Sequence, residues 1–255
     1  MRTIAVIQAR MGSTRRPGKV VATIEGRPLI LWTVAAVSDV GGLDDLVIAT
    51  TDQATDDPFT DMLRSHGLRV HRGPAHDVLR RVAEAVEPLQ PDVVLRQTGD
   101  NPFADPDVMA AQLAHLAAAG LDYVGIAGLP IGIGAEAVRA EALRIANREA
   151  VDLAEREHVL PFVNTRPERF AFEPLPDPPA AQHHRFTVDT TADLEFARAL
   201  AARLGDRSRP ARLADLEAIL AAEPALRRLN MNVKQRSPRS SQLRAATAPA
   251  DFEEN

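Results

Sequence analysis

Ile4-Ala5-Val6-Ile7-Gln8-Ala9-Arg10-Met11-Gly12-Ser13-Thr14-Arg15-Arg16-Pro17-Gly18-Lys19 decides how this chain is read. The stretch opens as a short apolar run and empties into a polar loop containing glycine. That predicts a buried first strand over 4–8 with a loop at its carboxyl end. In an open parallel sheet, ligands sit beyond the carboxyl ends of the strands. Gly12 and Gly18 let a backbone turn tightly and approach a ligand closely. Ser13 and Thr14 add hydroxyls. Arg10, Arg15, Arg16 and Lys19 crowd four positive charges into ten residues, an arrangement that an anion such as a triphosphate would neutralise. A solvated basic loop is the plainer alternative. Composition counts against it: of 30 cationic residues only Lys19 and Lys234 are lysine, and a compact ammonium does not replace a planar guanidinium in reach or geometry.

Two familiar phosphate motifs do not fit. A P-loop has four residues between its glycines and then Lys-Ser/Thr; here five separate Gly12 from Gly18, and Val20 follows Lys19. A dinucleotide fingerprint is absent after the first strand, and the loose match Gly132-x-Gly134-x-x-Ala137 lies far from it.

Outward from the loop, short apolar runs alternate with helical patterns. Helices are predicted over 28–37, 55–65, 77–86 and 105–119, and strands over 46–50, 68–71, 92–95 and 121–126. This alternation predicts an α/β fold, a Rossmann-like, mostly parallel sheet with helices on both faces. The pattern breaks at 128–134, which is rich in Gly and Pro. A helix is predicted over 139–155, a looped region with six Pro over 161–184, a short strand over 186–188, and helices from Thr190 or Thr191 to 204 and over 213–222. From about 232 to 255 the chain is polar and reads as a disordered tail, leaving 1–231 as one domain.

Composition excludes several classes. The net charge of −5 carries no sequence-wide basic field for nucleic acid or an anionic membrane. Ten aromatics and one localised basic loop are poor equipment for stacking nucleobases. No run approaches the ~20 apolar residues of a membrane helix, and the N-terminal run is too short for a signal-peptide core. The absence of Cys excludes disulfides and Cys-ligated metals and accords with a cytoplasmic protein.

Two aspartates complete the pattern. The strand at 92–95 leads to Arg96-Gln97-Thr98-Gly99-Asp100-Asn101-Pro102, which sets Asp100 at the same sheet edge as the basic loop. Arg185-Phe186-Thr187-Val188-Asp189-Thr190 also ends in Asp. Paired carboxylates beside phosphates suit magnesium. Equally, each aspartate could cap the helix that follows it.

The loop string resembles the signature of bacterial cytidylyltransferases, the CMP-KDO and CMP-sialic acid synthetases, and especially the spore coat polysaccharide biosynthesis protein F type. The match runs ungapped through Ala9, Arg10, Gly12, Ser13, Thr14, Arg15, Pro17, Gly18 and Lys19. The resemblance covers roughly residues 1 to 230 and implies a nucleotide-diphospho-sugar transferase type of fold, with an acceptor and dimerisation excursion over 126–185. It implies Arg10, Arg15 and Lys19 as catalytic phosphate-binding groups, and Mg2+ held by Asp100 and Asp189. Ala9, Gly12, Ser13, Thr14, Asp77, Arg81 and Thr98 would contact CTP, with Thr98 standing where the CMP-KDO branch has Gln. Asp77-Val78-Leu79-Arg80-Arg81 also reads as an ordinary helix start. Glu136, Arg156, His158 and Arg185 would face the acceptor, and His158 also reads as a helix-end histidine. Arg16 departs from the family's usual apolar residue, and 171–184 matches nothing in it.

The implied reaction moves CMP from CTP to a small acidic or sugar acceptor in a homodimer. Arg139, Arg156 and Arg185 are available for a carboxylate or a phosphonate. A nucleotidyltransferase using another NTP with a sugar phosphate, and a non-catalytic nucleotide-binding regulator, are the alternatives.

Overall fold

The alternating side chains of the first strand point into two different cores, and the rest of the fold follows from that. A computed structural model describes residues 1–13, 15–173, 184–205 and 209–234. The chain begins with β1 (Thr3–Gln8), a small hairpin of β2 (Thr23–Ile24) and β3 (Arg27–Pro28), α1 (Leu29–Ser38) and β4 (Asp45–Thr51). It continues through α2 (Asp57–Ser65), β5 (Arg69–Gly73), α3 (Val78–Val86), β6 (Val93–Thr98) and α4 (Pro106–Ala118). Next come β7 (Tyr123–Val124), β8 (Glu136–Arg139), α5 (Ala140–Glu149), α6 (Leu153–His158) and α7 (Pro161–Asn164). β9 (Phe172–Glu173), α8 (Thr191–Ala201) and α9 (Leu213–Ala222) close the described chain.

Among the described residues the main sheet has seven strands in the order β5-β4-β1-β6-β8-β7-β9. β5, β4, β1 and β6 run parallel. β8 opposes both β6 and β7, and β9 runs parallel to β7. The sheet is therefore α/β and mostly parallel, with one strand reversed. Ile4, Val6, Val94 and Val138 face the layer that contains α3 and α5. Ala5, Ile7, Leu95 and Ala137 face the layer of α1, α2 and α4. A third apolar cluster joins Phe103, Phe186 and Val188 to α8 and α9.

β1 has β4 on one side and β6 on the other, so the chain reverses its direction of travel across the sheet at the β1–β6 crevice. Gln8 and Thr98 are register partners there. In open α/β sheets this switch point is where ligands bind. The two loops come into close contact: the Gly99 amide donates to the Gln8 carbonyl at 2.8 Å. A Cβ on Gly99 would lie 2.7 Å from that of Ala9.

The structure differs from the sequence expectation in five places, one being the region expected to be looped over 161–184, which holds α7 and β9. The strand expected over 121–126 contracts to Tyr123–Val124. The segment before residue 140 is a strand, β8. It escapes the helical pattern because only two of its residues, Ala137 and Val138, are buried, one in each layer. The helix expected over 139–155 is two helices. Ala150 turns extended, and the Asp152 carboxylate caps α6 by accepting the Ala154 amide at 2.7 Å. Residues 186–188 form no ladder; the Phe186 and Val188 amides donate to the Ile131 and Asp100 carbonyls instead. Of the expected tail, 235–255 lies outside the described residues, as do Thr14 and His183.

Candidate active site

A cleft of about 770 Å³ opens at the β1–β6 switch point. The loop after β1 forms one wall. Asp56 sets that loop's shape: its carboxylate accepts the Met11 amide at 2.9 Å, the Thr51 amide at 3.0 Å and the hydroxyls of Thr50 and Thr51 at 2.8 and 2.5 Å. Burial alone would raise the pKa of this carboxyl, but the four donors outweigh it and hold it below the ordinary value. Nothing in the local sequence around Asp56 marks this role, because its partner Met11 is distant along the chain. Gly18 takes a φ of +72°, a left-handed conformation that favours glycine. Gly12 has nothing within 4 Å of the place a Cβ would occupy.

On the floor of the cleft, Lys19 joins the two aspartates. Its Nζ donates to Asp100 Oδ2 at 2.5 Å and to Asp189 Oδ1 at 2.8 Å. Burial by itself would lower the pKa of this ammonium, but the two carboxylates outweigh it and raise the value. Asp189 is held below its ordinary range: burial raises it, and Lys19, Arg15 and Arg185 more than reverse that. Arg15 pairs with Asp189 Oδ1 at 2.7 Å and Arg185 with Oδ2 at 2.8 Å. Thr98 donates its hydroxyl to Asp100 Oδ1 at 2.6 Å. Neither aspartate caps a helix; Thr190 caps α8 and Asp105 caps α4.

At another part of the cleft, Arg81 is 2% exposed. Its NH1 donates to the Pro74 and Ala75 carbonyls, and Arg10 NH1 donates to Ala75 as well. Arg81 Nε has no hydrogen-bond partner among the described residues. Burial, and then the charge of Arg10, push the Arg81 pKa down to about 10. A buried guanidinium whose charged form is disfavoured by burial and by a neighbouring arginine makes a site that an anion would relieve.

Ala9, Ser13, Glu136 and His158 also line the cleft, whereas Gly12, Asp77, Arg156 and Arg185 do not. Asp77 caps α3 through the Arg80 amide and receives Arg156 in a two-point ion pair, Nε–Oδ1 at 2.9 Å and NH2–Oδ2 at 2.5 Å. Arg185 lies behind Asp189, bonded also to Asp193 at 2.8 Å. Arg139 bonds the Leu121 carbonyl at 3.2 Å. The three arginines expected to be available for an acceptor carboxylate or phosphonate are thus engaged elsewhere. Each finds a carboxylate or carbonyl that folding brings within reach.

Glu136 is paired with Arg96 and accepts the Tyr123 hydroxyl at 2.7 Å. Arg96 also donates to Gln8 Oε1 at 2.9 Å. Arg96, Gln97, Asn101 and Glu157 were not singled out by sequence reasoning, yet they line the cleft. For Arg96 and Gln97 the signal was a run of polar residues, Arg96-Gln97-Thr98, at the end of an otherwise apolar strand.

The family model described as Cytidylyltransferase matches residues 4–222. The chain belongs to the cytidylyltransferase family. It is 37% identical over 209 residues to the spore coat polysaccharide biosynthesis protein SpsF of Bacillus subtilis, covering 79% of this chain and 87% of that protein. It is 30% identical over 241 residues to an uncharacterised protein of Methanocaldococcus jannaschii, covering 94% and 98%. The fold is that of a cytidylyltransferase from Leptospira borgpetersenii, with a TM-score of 0.83 at 23% identity over 93% of this chain and 99% of that one. It is also shared with a CMP:2-keto-3-deoxy-manno-octonic acid synthetase complexed with CTP, at a TM-score of 0.64 and 20% identity over 80% and 99%. Membership of this family makes the chain a nucleotidyltransferase enzyme. Among the described residues, no helix is long and apolar enough to cross a membrane.

Proposed function

We propose that this cytidylyltransferase transfers CMP from CTP to a hydroxyl of a small acidic or sugar acceptor in the cytoplasm, releasing pyrophosphate, and that it does so with Mg2+ and as a homodimer. The observation that carries the reading is Lys19 bridging Asp100 and Asp189 at the base of a loop bearing Arg10 and Arg15. These groups are opposite in charge, fixed by contact and open to the cleft, as transfer of a charged phosphoryl group requires.

The two carboxylates fit a magnesium ion. Their oxygens converge on a single cationic point, which the Lys19 ammonium marks. Among the described residues no group of three or more acidic or histidine side chains is placed to hold a metal ion. The protein would therefore offer two carboxylates, and phosphates and water the remaining ligands, which is how magnesium is commonly held. When bound there, the ion would neutralise charge on the transferred phosphate.

In the reaction an acceptor hydroxyl oxygen bonds to the α-phosphorus in line while the bond to the bridging β-phosphate oxygen breaks, the hydroxyl proton passing to water and pyrophosphate leaving with the bridging oxygen. Arg10, Arg15 and Lys19 take up the negative charge of the departing pyrophosphate. Arg81, with its unpaired Nε, and Arg10 attract the nucleotide anion. A hydroxyl suits the acceptor side better than a phosphonate, because Arg139, Arg156 and Arg185 are already engaged and Arg96 is neutralised by Glu136.

Calorimetric titration of CTP, UTP, GTP, ATP and dTTP with Mg2+ tests the reading. CTP is expected to bind selectively, and Lys19→Ala is expected to lose about 2–4 kcal/mol of transition-state stabilisation in turnover. Selective binding of another nucleotide would replace CTP as donor, and unchanged turnover by Lys19→Ala would remove that residue from the mechanism.

A further inference from the structure

Behind Asp189 lies a buried set of polar groups that the reaction does not directly use. Asp193, the third residue of α8, is 1% exposed. Its Oδ1 accepts Arg185 Nε at 2.8 Å and Asn230 Nδ2 at 3.1 Å. Its Oδ2 accepts the Asp189 amide at 3.1 Å, the Thr190 amide at 3.0 Å and the Thr190 hydroxyl at 2.9 Å. Arg185 NH2 reaches Oδ2 of both Asp193 and Asp189, at 3.3 and 2.8 Å. Asn230, 5% exposed, also donates to the Arg185 carbonyl at 3.0 Å. A helix-capping box alone would leave Asp193 to the backbone; here it also draws an arginine and a side chain from the far end of the described chain.

An arginine facing a lone carboxylate tends to close on both oxygens in a fork. Arg185 does not do so with Asp189. Its Nε is taken by Asp193, so it holds Asp189 only through Oδ2. Asp189 Oδ1 is left to the cleft, where Lys19 and Arg15 meet it. The Asp189 amide bond to Asp193 fixes the backbone from which that carboxylate projects.

We propose that Asp193, held by Asn230, is a positioning residue that keeps one oxygen of Asp189 aimed at the metal–phosphate position by dividing the Arg185 guanidinium between two carboxylates. The inference rests on the CTP reading above. It predicts that Asp193→Asn lets Arg185 close on Asp189, and that Asn230→Ala loosens the same group with the loss of two hydrogen bonds.

The test is calorimetric binding of CTP to the full chain in Mg2+ and in EDTA, with Asp189→Asn as the control that loses its metal response. In both Asp193→Asn and Asn230→Ala, the tightening of CTP binding by Mg2+ should fall about fivefold or more. The Kd in EDTA should stay within about twofold of wild type, since the loop arginines are untouched. A purely structural role would weaken both arms equally, and that result overturns the proposal. So does a folded variant that keeps the full magnesium response. Should Asp193→Asn fail to fold, Asn230→Ala decides, because its side chain makes only those two bonds among the described residues. Failure of the wild type to bind CTP in either arm sinks the CTP reading and this inference with it; binding with an intact response in the variants sinks the inference alone.

Discussion

Arg10 and Arg81 direct NH1 groups to one acceptor, the carbonyl oxygen of Ala75, at 3.2 and 3.4 Å. Two cations thus converge at the cleft with one neutral oxygen between them, and burial first, then the charge of Arg10, lowers the Arg81 pKa to about 10. An anion arriving there would relieve the repulsion.

Ligand-induced stabilisation should follow. At a concentration of 100 times its Kd, CTP should stabilise the wild type by about 2.7 kcal/mol. Arg10→Ala should lose most of that gain at the same CTP concentration. Thermal melts with and without nucleotide measure it; an equal gain in the variant would remove Arg10 from the anion site.

The two loop glycines should separate stability from binding. Gly18→Ala places a side chain in a left-handed conformation and should destabilise the fold by about 1–2 kcal/mol. Gly12→Ala meets nothing within 4 Å and should leave stability unchanged while weakening CTP binding, because a methyl stiffens the loop that carries Arg10 and Arg15 to the cleft. Urea denaturation and calorimetry on the same samples distinguish the two effects.

Asp56 should govern acid stability. Its folded pKa is depressed, so its contribution is fully present above the unfolded value of about 3.9 and is lost as pH falls through the folded value. Asp56→Asn should cost about 1–3 kcal/mol at neutral pH, since a charged acceptor of four donors is replaced by a half-acceptor. The difference from wild type should shrink as the pH is lowered below the ordinary carboxyl range. Denaturation curves at a series of pH values check the sign; a gap that widens in acid would contradict it.

Gly132 carries the excursion past the strand-like segment beside Asp189. Its φ is +93°, and a Cβ would lie 2.7 Å from the Thr187 amide nitrogen and 2.9 Å from the Phe186 carbonyl carbon. Those neighbours are backbone and cannot rotate away, so Gly132→Ala should cost about 2–3 kcal/mol. A denaturation midpoint close to wild type would contradict a close backbone contact at Gly132.

Much of the site was legible in the residues themselves. The four-residue apolar run Ile4 to Ile7, the crowded cations of the loop, and Asp100 after β6 all depend on local pattern, and a parallel sheet places the ends of neighbouring strands together. Asp189 was legible as an acid ahead of a helix, but the strand expected before it is absent, since its segment forms no ladder. β8 was not legible, since a strand buried at only two positions carries almost no period-two signal.

The loop, its charge and the alternation that brings it to the switch point rest on near neighbours and backbone preferences, so they are written in the residues alone. Which cations stay in the cleft depends on the fold. Arg156 and Asp77 are 79 residues apart in the chain and meet in an ion pair, and Asn230 reaches Asp193 across 37. The partner a long charged side chain takes depends on which carboxylates and carbonyls folding brings within about 3 Å, and no residue type or spacing encodes that distance.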